Sequence, residues 1–323
     1  MNMLVDGEWR ENAYESTNDD GEFDRQETSF RDWVRDDPDA RFSPDAGRYH
    51  LYVSRACPWA HRTMIVRIVM GLEDVVSMDV VDPYRDADGW QFTPSKDDCT
   101  YDTVNGRDFL RGVYTAADDS FTGRVTVPVL WDREEETVVN NESEEIVKML
   151  ADSFGSFAAN DVDLYPDALR DEIDDVIESI YEPINNGVYR AGFADSQAAH
   201  DRAVAELFDA MAHWNDELRE RRWLVGDQFT LADVCLFTTL VRFDEVYHTH
   251  FKCNVARVAD FDALWGHTRD VYQLPGVAGT VNMDHIKEHY YTTHGDVNPK
   301  RLVPVGPAPE FDAAHDRAVL PGT

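Results

Sequence analysis

Cys57 is the residue whose position in this 323-residue chain best suits chemistry. It stands between an alternating apolar segment, 49–53, and a segment with helical periodicity, 59–70, which Pro58 opens. A thiol at a helix N-terminus meets backbone N–H groups and the positive end of the helix dipole, and both stabilise its thiolate. Three basic residues flank it, with directions that the sequence leaves open: Arg55, His61 and Arg62. We predict a reactive nucleophile here; the alternative is a small core residue, the usual fate of a free cysteine.

Ala60 stands where a second cysteine would complete a CxxC redox motif. The four cysteines are too few and too scattered for a disulfide scaffold: Cys57, Cys99, Cys235 and Cys253. Without a resolving thiol beside it, a mixed disulfide at Cys57 must be released by a thiol from outside the chain. The sequence therefore predicts a monothiol enzyme.

Two histidine patterns could suggest a metal. His285-Ile286-Lys287-Glu288-His289 matches HxxEH, which puts two imidazoles on one helix face. No segment supplies a clear third ligand, and the cluster of His248, His250 and Cys253 has irregular spacing for zinc. We predict a structural or interface role for the His248, His250 and Cys253 group, no zinc-peptidase site at the HxxEH pattern, and no metal cofactor.

The segments around Cys57 are those of an α/β domain. In order they are a strand 49–53, a helix 59–70, a strand 75–81, strands 125–131 and 137–140, and a helix that starts at 142. A long polar stretch, 82–123, interrupts this order and is predicted as a functional insertion. The arrangement β-α-β, insertion, β-β-α predicts a thioredoxin-like domain over 46–155, preceded by an N-terminal extension, 1–45.

Two further features of this domain suit a thiol peptide. Pro128 lies inside a predicted strand, which fits either a cis Val127-Pro128 bond or an edge strand. In thioredoxin-like proteins, a cis proline at this place turns backbone groups toward the thiol ligand. Glu142 and Ser143 begin a helix, where N–H groups could bind the carboxylate of a γ-glutamyl group and Glu142 its ammonium. The same pair also fits an ordinary first helical turn.

The second half of the chain has helical periodicity. Apolar residues repeat at helical spacing over 169–180 and 204–211, and Thr230 with Asp233 forms a capping-box variant ahead of an apolar helix. We predict an all-helical domain over 160–294 and an extended, proline-containing tail over 295–323. The fold class is thus α/β plus all-α, a thioredoxin-like domain followed by a helical bundle.

Composition excludes several classes of partner. The chain carries 63 acidic and 30 basic residues, a formal net charge of −33, and only five of the bases are lysine. Such a surface repels nucleic acid and anionic membranes, so neither is expected as a partner. The acids are spread along the chain, a pattern typical of salt-adapted proteins rather than of one acidic site. No apolar run long enough for a membrane helix and no secretory signal are seen, which predicts a cytoplasmic protein.

The ordered motifs resemble the Xi class of glutathione transferases, the glutathionyl-hydroquinone reductases. The resemblance covers nearly the whole chain. It rests on Cys57-Pro58-Trp59-Ala60-His61-Arg62, Gly89-Trp90, the segment 124–132, Asn140-Asn141-Glu142-Ser143, the segment 185–194, Arg242-Phe243-Asp244, the segment 250–254 and the segment 285–291. It implies a homodimer of glutathione-transferase type, and a halophilic archaeon as the source fits the composition.

The resemblance also implies roles for single residues. Cys57 would be the nucleophile, and Tyr189 with Tyr290 or Tyr291 would face the ring of a quinol. The thiol peptide would be held by Trp90, Arg124, Val127, Pro128, Glu142 and Ser143. The co-substrate would be glutathione or, in a salt-adapted archaeon, γ-glutamylcysteine.

The expected reaction is removal of the thiol from an S-conjugated hydroquinone through a Cys57 mixed disulfide. Two alternatives stay open at this point. One is a general thioltransferase or dehydroascorbate reductase on the same fold, and the other is a non-catalytic binding module with an unreactive Cys57.

Overall fold

The structure, a computed structural model, describes residues 1–37 and 39–322. The chain forms two compact units. The first holds Met1–Ser16, Arg25–Val162 and Thr280–His289, and the second holds Thr17–Asp24, Asp163–Gly279 and the chain from Tyr290 onward. This grouping differs from the sequence boundaries, because most of the predicted extension, 1–45, and part of the predicted helical domain belong to the first unit.

The first unit contains a short hairpin and a four-stranded sheet. Its strands are β1 (Met3–Val5), β2 (Glu8–Arg10), β3 (Tyr49–Val53), β4 (Ser77–Val80), β5 (Val129–Asp132) and β6 (Thr137–Asn140). The sheet order is β4-β3-β5-β6; β3 runs parallel to β4, whereas β3–β5 and β5–β6 are antiparallel. The whole of β3 is buried, as expected of an interior strand covered on both faces. The predicted thioredoxin-like domain is confirmed.

Three helices pack around this sheet. They are α1 (Pro58–Val69), α2 (Leu110–Ala117) and α3 (Ser143–Asp152). Pro58 occupies the first turn of α1, where its missing N–H costs no hydrogen bond, and Gly71 follows the helix with φ +70°. The sequence placed these ends correctly because both signals are local.

Helix α2 lies inside the segment 82–123, which the sequence predicted as a functional insertion and to which it assigned no helix. Its buried residues are Leu110, Val113 and Tyr114, at the i, i+3 and i+4 positions of one face. The helix has only eight residues and includes Gly112, a poor helix former, so its apolar stripe is too short to stand out from a polar background.

The second unit is helical, as predicted. Its helices are α4 (Arg170–Ile180), α5 (Gly187–Gly192), α6 (Gln197–Glu220), α7 (Leu231–Arg242) and α8 (Asp262–Tyr272), and α9 (Met283–Thr293) follows them in the chain. Every residue of α7 is buried, and the predicted capping box of Thr230 and Asp233 is present at its start. Two π-helical turns that the sequence did not predict follow α4 and α7, at Tyr181–Asn185 and Phe243–Tyr247.

From 296 to 322 the chain is irregular apart from a short 3₁₀ turn, Arg317–Val319. The Arg317 guanidinium is buried and donates to the carbonyl oxygens of Leu218, Arg221 and Arg222 at the end of α6. This arginine satisfies carbonyls that have no partner within the helix. Within residues 1–37 and 39–322, none of the helices has both the length and the apolar character needed to cross a bilayer.

Candidate active site

Cys57 is the N-cap residue of α1, with extended backbone angles and partial exposure. Its carbonyl accepts the His61 N–H at 2.9 Å, the first bond of the helix. Its sulfur lies 3.6 Å from the Val127 carbonyl oxygen, and the Val127-Pro128 peptide bond is cis. The sequence had left open a cis bond or an edge strand; the bond is cis, and β5, which follows it, is an interior strand. The structure therefore brings together Cys57 and the proline loop that the sequence selected separately.

The basic neighbours of Cys57 have different contacts. Arg62 is fully buried and donates through Nη1 to Ser143 Oγ at 3.5 Å. His61 Nε2 lies 2.7 Å from Thr280 Oγ1, and Arg55 Nε lies 3.7 Å from Asp98 Oδ2. Arg62 thus connects the helix of Cys57 to the start of α3. The sequence could not show where this side chain points.

The start of α3 carries Glu142 as its N-cap, and the Glu142 side chain accepts from the Glu144 N–H at 3.4 Å. Ser143 is buried, and its hydroxyl donates to Glu142 Oε1 at 3.4 Å. Carboxylate, hydroxyl and backbone N–H groups therefore lie together at one helix end, which suits a ligand with both a carboxylate and an ammonium. Glu142 thus caps its own helix, as an ordinary first helical turn requires.

The N-terminal segment 25–31 runs beside these residues. The Arg25 guanidinium carbon lies 4.3 Å from the centre of the Trp59 ring, and Thr28 Oγ1 donates to Glu142 Oε2 at 3.3 Å. Phe30 exchanges backbone and side-chain hydrogen bonds with Asn141, its N–H reaching Asn141 Oδ1 at 3.1 Å. The sequence singled out no site residue in this segment, because its contacts are to residues far along the chain.

Trp90 and Arg124 lie in the same unit. Trp90 is buried, with its ring stacked on His289 at 5.0 Å between centroids, and the Arg85 guanidinium carbon lies 5.5 Å from it. Burial, followed by repulsion from Arg25 and Arg85, lowers the pKa of Arg124 to about 10. The charged form of Arg124 is therefore disfavoured by burial and by the charges of two other guanidinium groups.

The HxxEH residues make contacts to the backbone and to a lysine. His285 Nε2 lies 2.9 Å from the Asp97 carbonyl oxygen, and His289 Nδ1 lies 2.7 Å from that of Pro83. Glu288 accepts from Lys96 Nζ at 2.6 Å. Apart from the undescribed positions 38 and 323, no group of three or more His, Cys, Asp or Glu side chains is arranged to hold a metal ion.

The second unit contains a hydrogen-bonded cluster of three tyrosines. The Tyr290 hydroxyl lies 2.5 Å from that of Tyr189 and 2.9 Å from that of Tyr247. Burial, with smaller contributions from the other two tyrosines, raises the pKa of Tyr290 well above its ordinary value. Tyr291 instead donates to the Glu245 carbonyl oxygen at 3.0 Å. Of the two neighbouring tyrosines, Tyr290 is thus the one that joins Tyr189.

Tyr247 was missed at the sequence level. It ends the π-helical turn Phe243–Tyr247, and a π turn shifts the side chains that follow it relative to α-helical spacing. The one available signal was its place within the motif region that begins at Arg242.

This fold and this arrangement of cysteine, cis proline and helix start define a protein of the glutathione transferase type. The chain matches the glutathione S-transferase N-terminal domain family over residues 56–153 and the glutathione S-transferase C-terminal domain family over residues 197–270.

Comparison with individual relatives shows to which class of glutathione transferases the chain belongs. The chain is 46% identical over 325 residues to the glutathionyl-hydroquinone reductase YqjG of Escherichia coli, covering 99% of each chain. It is 47% identical to the glutathionyl-hydroquinone reductase PcpF of Sphingobium chlorophenolicum, covering 95% of this chain and 97% of PcpF. Among solved structures, a Xi class enzyme from Natrialba magadii is 60% identical with a TM-score of 0.95, covering 100% of this chain and 98% of that one. Glutathione-bound YqjG is 44% identical with a TM-score of 0.89, covering 98% and 99%. The chain therefore belongs to the Xi class of glutathione transferases, the glutathionyl-hydroquinone reductase family.

Proposed function

We propose that this protein removes the thiol peptide from S-conjugated hydroquinones through a mixed disulfide on Cys57. The observation that carries the proposal is the position of Cys57 at the start of α1, with its sulfur 3.6 Å from the carbonyl of the cis Val127-Pro128 bond. The names of YqjG and PcpF support the choice of substrate class.

The reaction proceeds in two exchanges. The Cys57 thiolate attacks the sulfur of the conjugate, the bond from that sulfur to the ring carbon breaks, and its electron pair takes a proton to give the free hydroquinone. A second thiol peptide, as thiolate, then attacks the Cys57 mixed disulfide and leaves as the oxidised peptide, which restores the Cys57 thiolate. Ala60 in place of a second cysteine agrees with release by an external thiol.

For the thiol peptide we propose the binding set that the resemblance implies. Glu142 and Ser143 bind the γ-glutamyl end at the start of α3, and the Val127 backbone pairs with the cysteinyl amide beside Cys57. Trp90, Pro128 and Arg124 complete the set. The buried Arg62, bonded to Ser143 Oγ, supports this reading because it holds that hydroxyl in place.

For the hydroquinone we propose contact with Tyr189 and Tyr290, with Tyr290 as the proton donor. A tyrosine hydroxyl is protonated at neutral pH, as a donor requires, and burial raises the pKa of Tyr290 further still. Tyr291, whose hydroxyl bonds to the Glu245 carbonyl, is given no role in this step.

We also infer that the protein is a salt-adapted, cytoplasmic homodimer that accepts glutathione or γ-glutamylcysteine. The net charge of −33 supports salt adaptation, since molar salt shortens the range of charge repulsion to about 3 Å. Unfolding temperatures that do not rise between low and molar KCl would contradict this inference, and sedimentation at the same salt tests the dimer.

The decisive experiment compares wild type with Cys57→Ser in molar salt, using a glutathionyl-hydroquinone. The wild type should release hydroquinone and, when quenched, carry one thiol peptide on Cys57 by mass spectrometry, whereas Cys57→Ser should do neither. Cys99→Ser is the matched control, because burial raises the pKa of that thiol to about 12 and leaves it unreactive. Turnover that survives in Cys57→Ser would refute the mechanism.

A further inference from the structure

A serine, a histidine and an aspartate lie together on one face of the four-stranded sheet, and we call them the Ser77 cluster: Ser77, His50 and Asp79. In the parallel register of β3 and β4, His50 pairs with Ser77 and Tyr52 with Asp79. Side chains two residues apart in a strand point to the same face, so the three side chains share a face of the sheet. His50 is near the start of β3, whereas Cys57 follows the end of that strand. The Ser77 cluster is therefore separate from the site described above.

The His50 ring contacts both other side chains of the Ser77 cluster. Its Nδ1 atom lies 2.7 Å from Ser77 Oγ, and its Nε2 atom lies 3.0 Å from Asp79 Oδ2. Arg133 Nη2 lies 3.4 Å from the same Nδ1 atom. Because a guanidinium group only donates, Nδ1 is assigned as the unprotonated acceptor and the ring proton is placed on Nε2, which faces Asp79. The Ser77 hydroxyl thus donates to a basic nitrogen.

Asp79 is held as a carboxylate beside the ring. Burial disfavours its charge, yet contacts with His50 and Thr103 lower the pKa of Asp79 below its ordinary value. Its Oδ2 atom accepts the Thr103 N–H at 2.6 Å and the Thr103 hydroxyl at 2.8 Å. The His50 Nε2–H meets this oxygen off the line of a good hydrogen bond, and catalytic hydrogen bonds often align only when substrate binds. The buried negative charge stabilises the imidazolium that forms when the ring takes a proton.

The Ser77 hydroxyl lies at the border between buried groups and solvent. Ser77 is half-buried and begins β4, an edge strand of the sheet, whereas His50 and Asp79 are buried. Arg133 follows β5 and is exposed, and its Nη2 atom donates to Ser77 Oγ at 2.7 Å. Packing accounts for the buried pair of His50 and Asp79, but it does not require a base and a cation at one accessible hydroxyl.

We propose that Ser77 is a second nucleophile of this protein and hydrolyses small acyl esters, with His50 as its general base and Asp79 as the positioning residue of that base. A nucleophile within hydrogen-bond reach of a base, which a third group orients, defines such a site whatever the order of the residues in the chain. The proposal goes beyond the reductase function and does not depend on Cys57.

The hydrolysis takes place in two steps. Ser77 Oγ attacks the carbonyl carbon of the ester and gives its proton to His50 Nδ1, while the carbonyl electron pair moves to the oxygen, where Arg133 stabilises the charge. The bond to the alcohol oxygen then breaks, the alcohol leaves with the proton from His50, and the acyl group stays on Ser77. In the second step, water attacks the acyl group and gives a proton to His50. The acid is released, and Ser77 Oγ takes the proton back.

The test uses full-length Cys57→Ala protein in molar salt, so that the Cys57 thiol cannot react. The probes are a fluorophosphonate, which labels activated serines with loss of fluoride, and p-nitrophenyl acetate, whose hydrolysis releases p-nitrophenol. We expect the phosphonyl group on Ser77 by peptide mass spectrometry, and ester hydrolysis faster than in buffer alone. Ser77→Ala should abolish both. Asp79→Asn removes the charge at nearly the same shape and should slow the labelling about tenfold or more.

Ser43→Ala is the matched control. Ser43 is also half-buried and accepts from an arginine, Arg48 at 3.5 Å, but within residues 1–37 and 39–322 no histidine bonds to its hydroxyl. This substitution should leave labelling and hydrolysis unchanged. Ser77→Cys separates loss of fold from loss of the nucleophile, because it keeps the size and a nucleophile, and p-nitrophenyl acetate should acylate it. Label on other residues with Ser77 unmodified, equal rates in Ser77→Ala and Ser43→Ala, or no acylation of Ser77→Cys would overturn the proposal.

Discussion

The tyrosine cluster gives the sharpest prediction, because two neighbouring tyrosines differ in their contacts. Tyr290→Phe removes one hydroxyl and two hydrogen bonds, to Tyr189 at 2.5 Å and to Tyr247 at 2.9 Å. Tyr291→Phe removes one hydroxyl of the same kind, bonded to the Glu245 carbonyl at 3.0 Å. The pair is a built-in comparison of the same substitution at adjacent positions.

The expected magnitudes follow from these contacts. A buried hydrogen bond contributes about 1 kcal/mol net, so Tyr290→Phe should lower the free energy of unfolding by about 2 kcal/mol and Tyr291→Phe by about 1 kcal/mol. If Tyr290 donates the proton to the leaving hydroquinone, kcat should fall about a hundredfold in Tyr290→Phe. It should stay near the wild-type value in Tyr291→Phe.

The assays are urea unfolding and steady-state release of hydroquinone, both in molar salt. Unchanged kcat in Tyr290→Phe, or an equal fall in both variants, would refute the assigned proton donor. A larger loss of stability in Tyr291→Phe than in Tyr290→Phe would refute the reasoning from hydrogen bonds.

The pH dependence of stability follows from the raised pKa of Tyr290. Because the folded protein holds this phenol neutral, its contribution to stability is complete below the unfolded pKa of about 10. The contribution is then lost as the pH rises from about 10 toward the higher folded pKa. Tyrosinate absorbance should therefore rise with unfolding above about pH 10, and ionisation of Tyr290 within the intact fold at lower pH would contradict the burial.

The remaining predictions concern positioning and the tail. His289→Asn keeps an N–H for the Pro83 carbonyl but removes the ring that stacks on Trp90. It should raise the KM for the thiol about threefold to tenfold, with kcat retained. His289→Phe keeps an aromatic ring, and its KM should stay near the wild-type value. Equal KM values in the two variants would show that stacking does not position Trp90. Arg317→Met leaves carbonyls at the end of α6 without their donor. In urea titrations it should lower the free energy of unfolding by about 3 kcal/mol. Lys300→Met, at an exposed position, should leave the free energy of unfolding unchanged. Identical midpoints would remove Arg317 from the contacts that stabilise the helix end.

The distribution of charge bears on function as well as on salt adaptation. The acids are spread along the chain, whereas the charges of Arg25 and Arg85 act with burial to lower the pKa of Arg124. A net charge describes the long-range field, which salt screens, but charges in close contact act at short range, where screening is weak. Overall composition therefore says little about the sign of the charge near Cys57.

Several features could be predicted from the sequence because their causes are local. Pro58 and Gly71 mark the ends of α1, the capping box of Thr230 and Asp233 marks the start of α7, and both elements were placed correctly. Helix α2 was not found, because its signal is three apolar residues in a polar segment. Prediction succeeded where the neighbouring residues alone fix the backbone.

The sequence by itself determined that Cys57 begins a helix, that Ala60 leaves no second thiol in a CxxC motif, and that the ordered motifs resemble the Xi class. Only the tertiary structure decided that Tyr290 rather than Tyr291 meets Tyr189, that Tyr247 joins them, and that Arg25 lies at Trp59. The reason is physical: a helix start depends on a few successive residues, whereas these contacts join side chains far apart in the chain. Their directions depend on how whole elements pack, and in the case of Tyr247 on one π-helical turn.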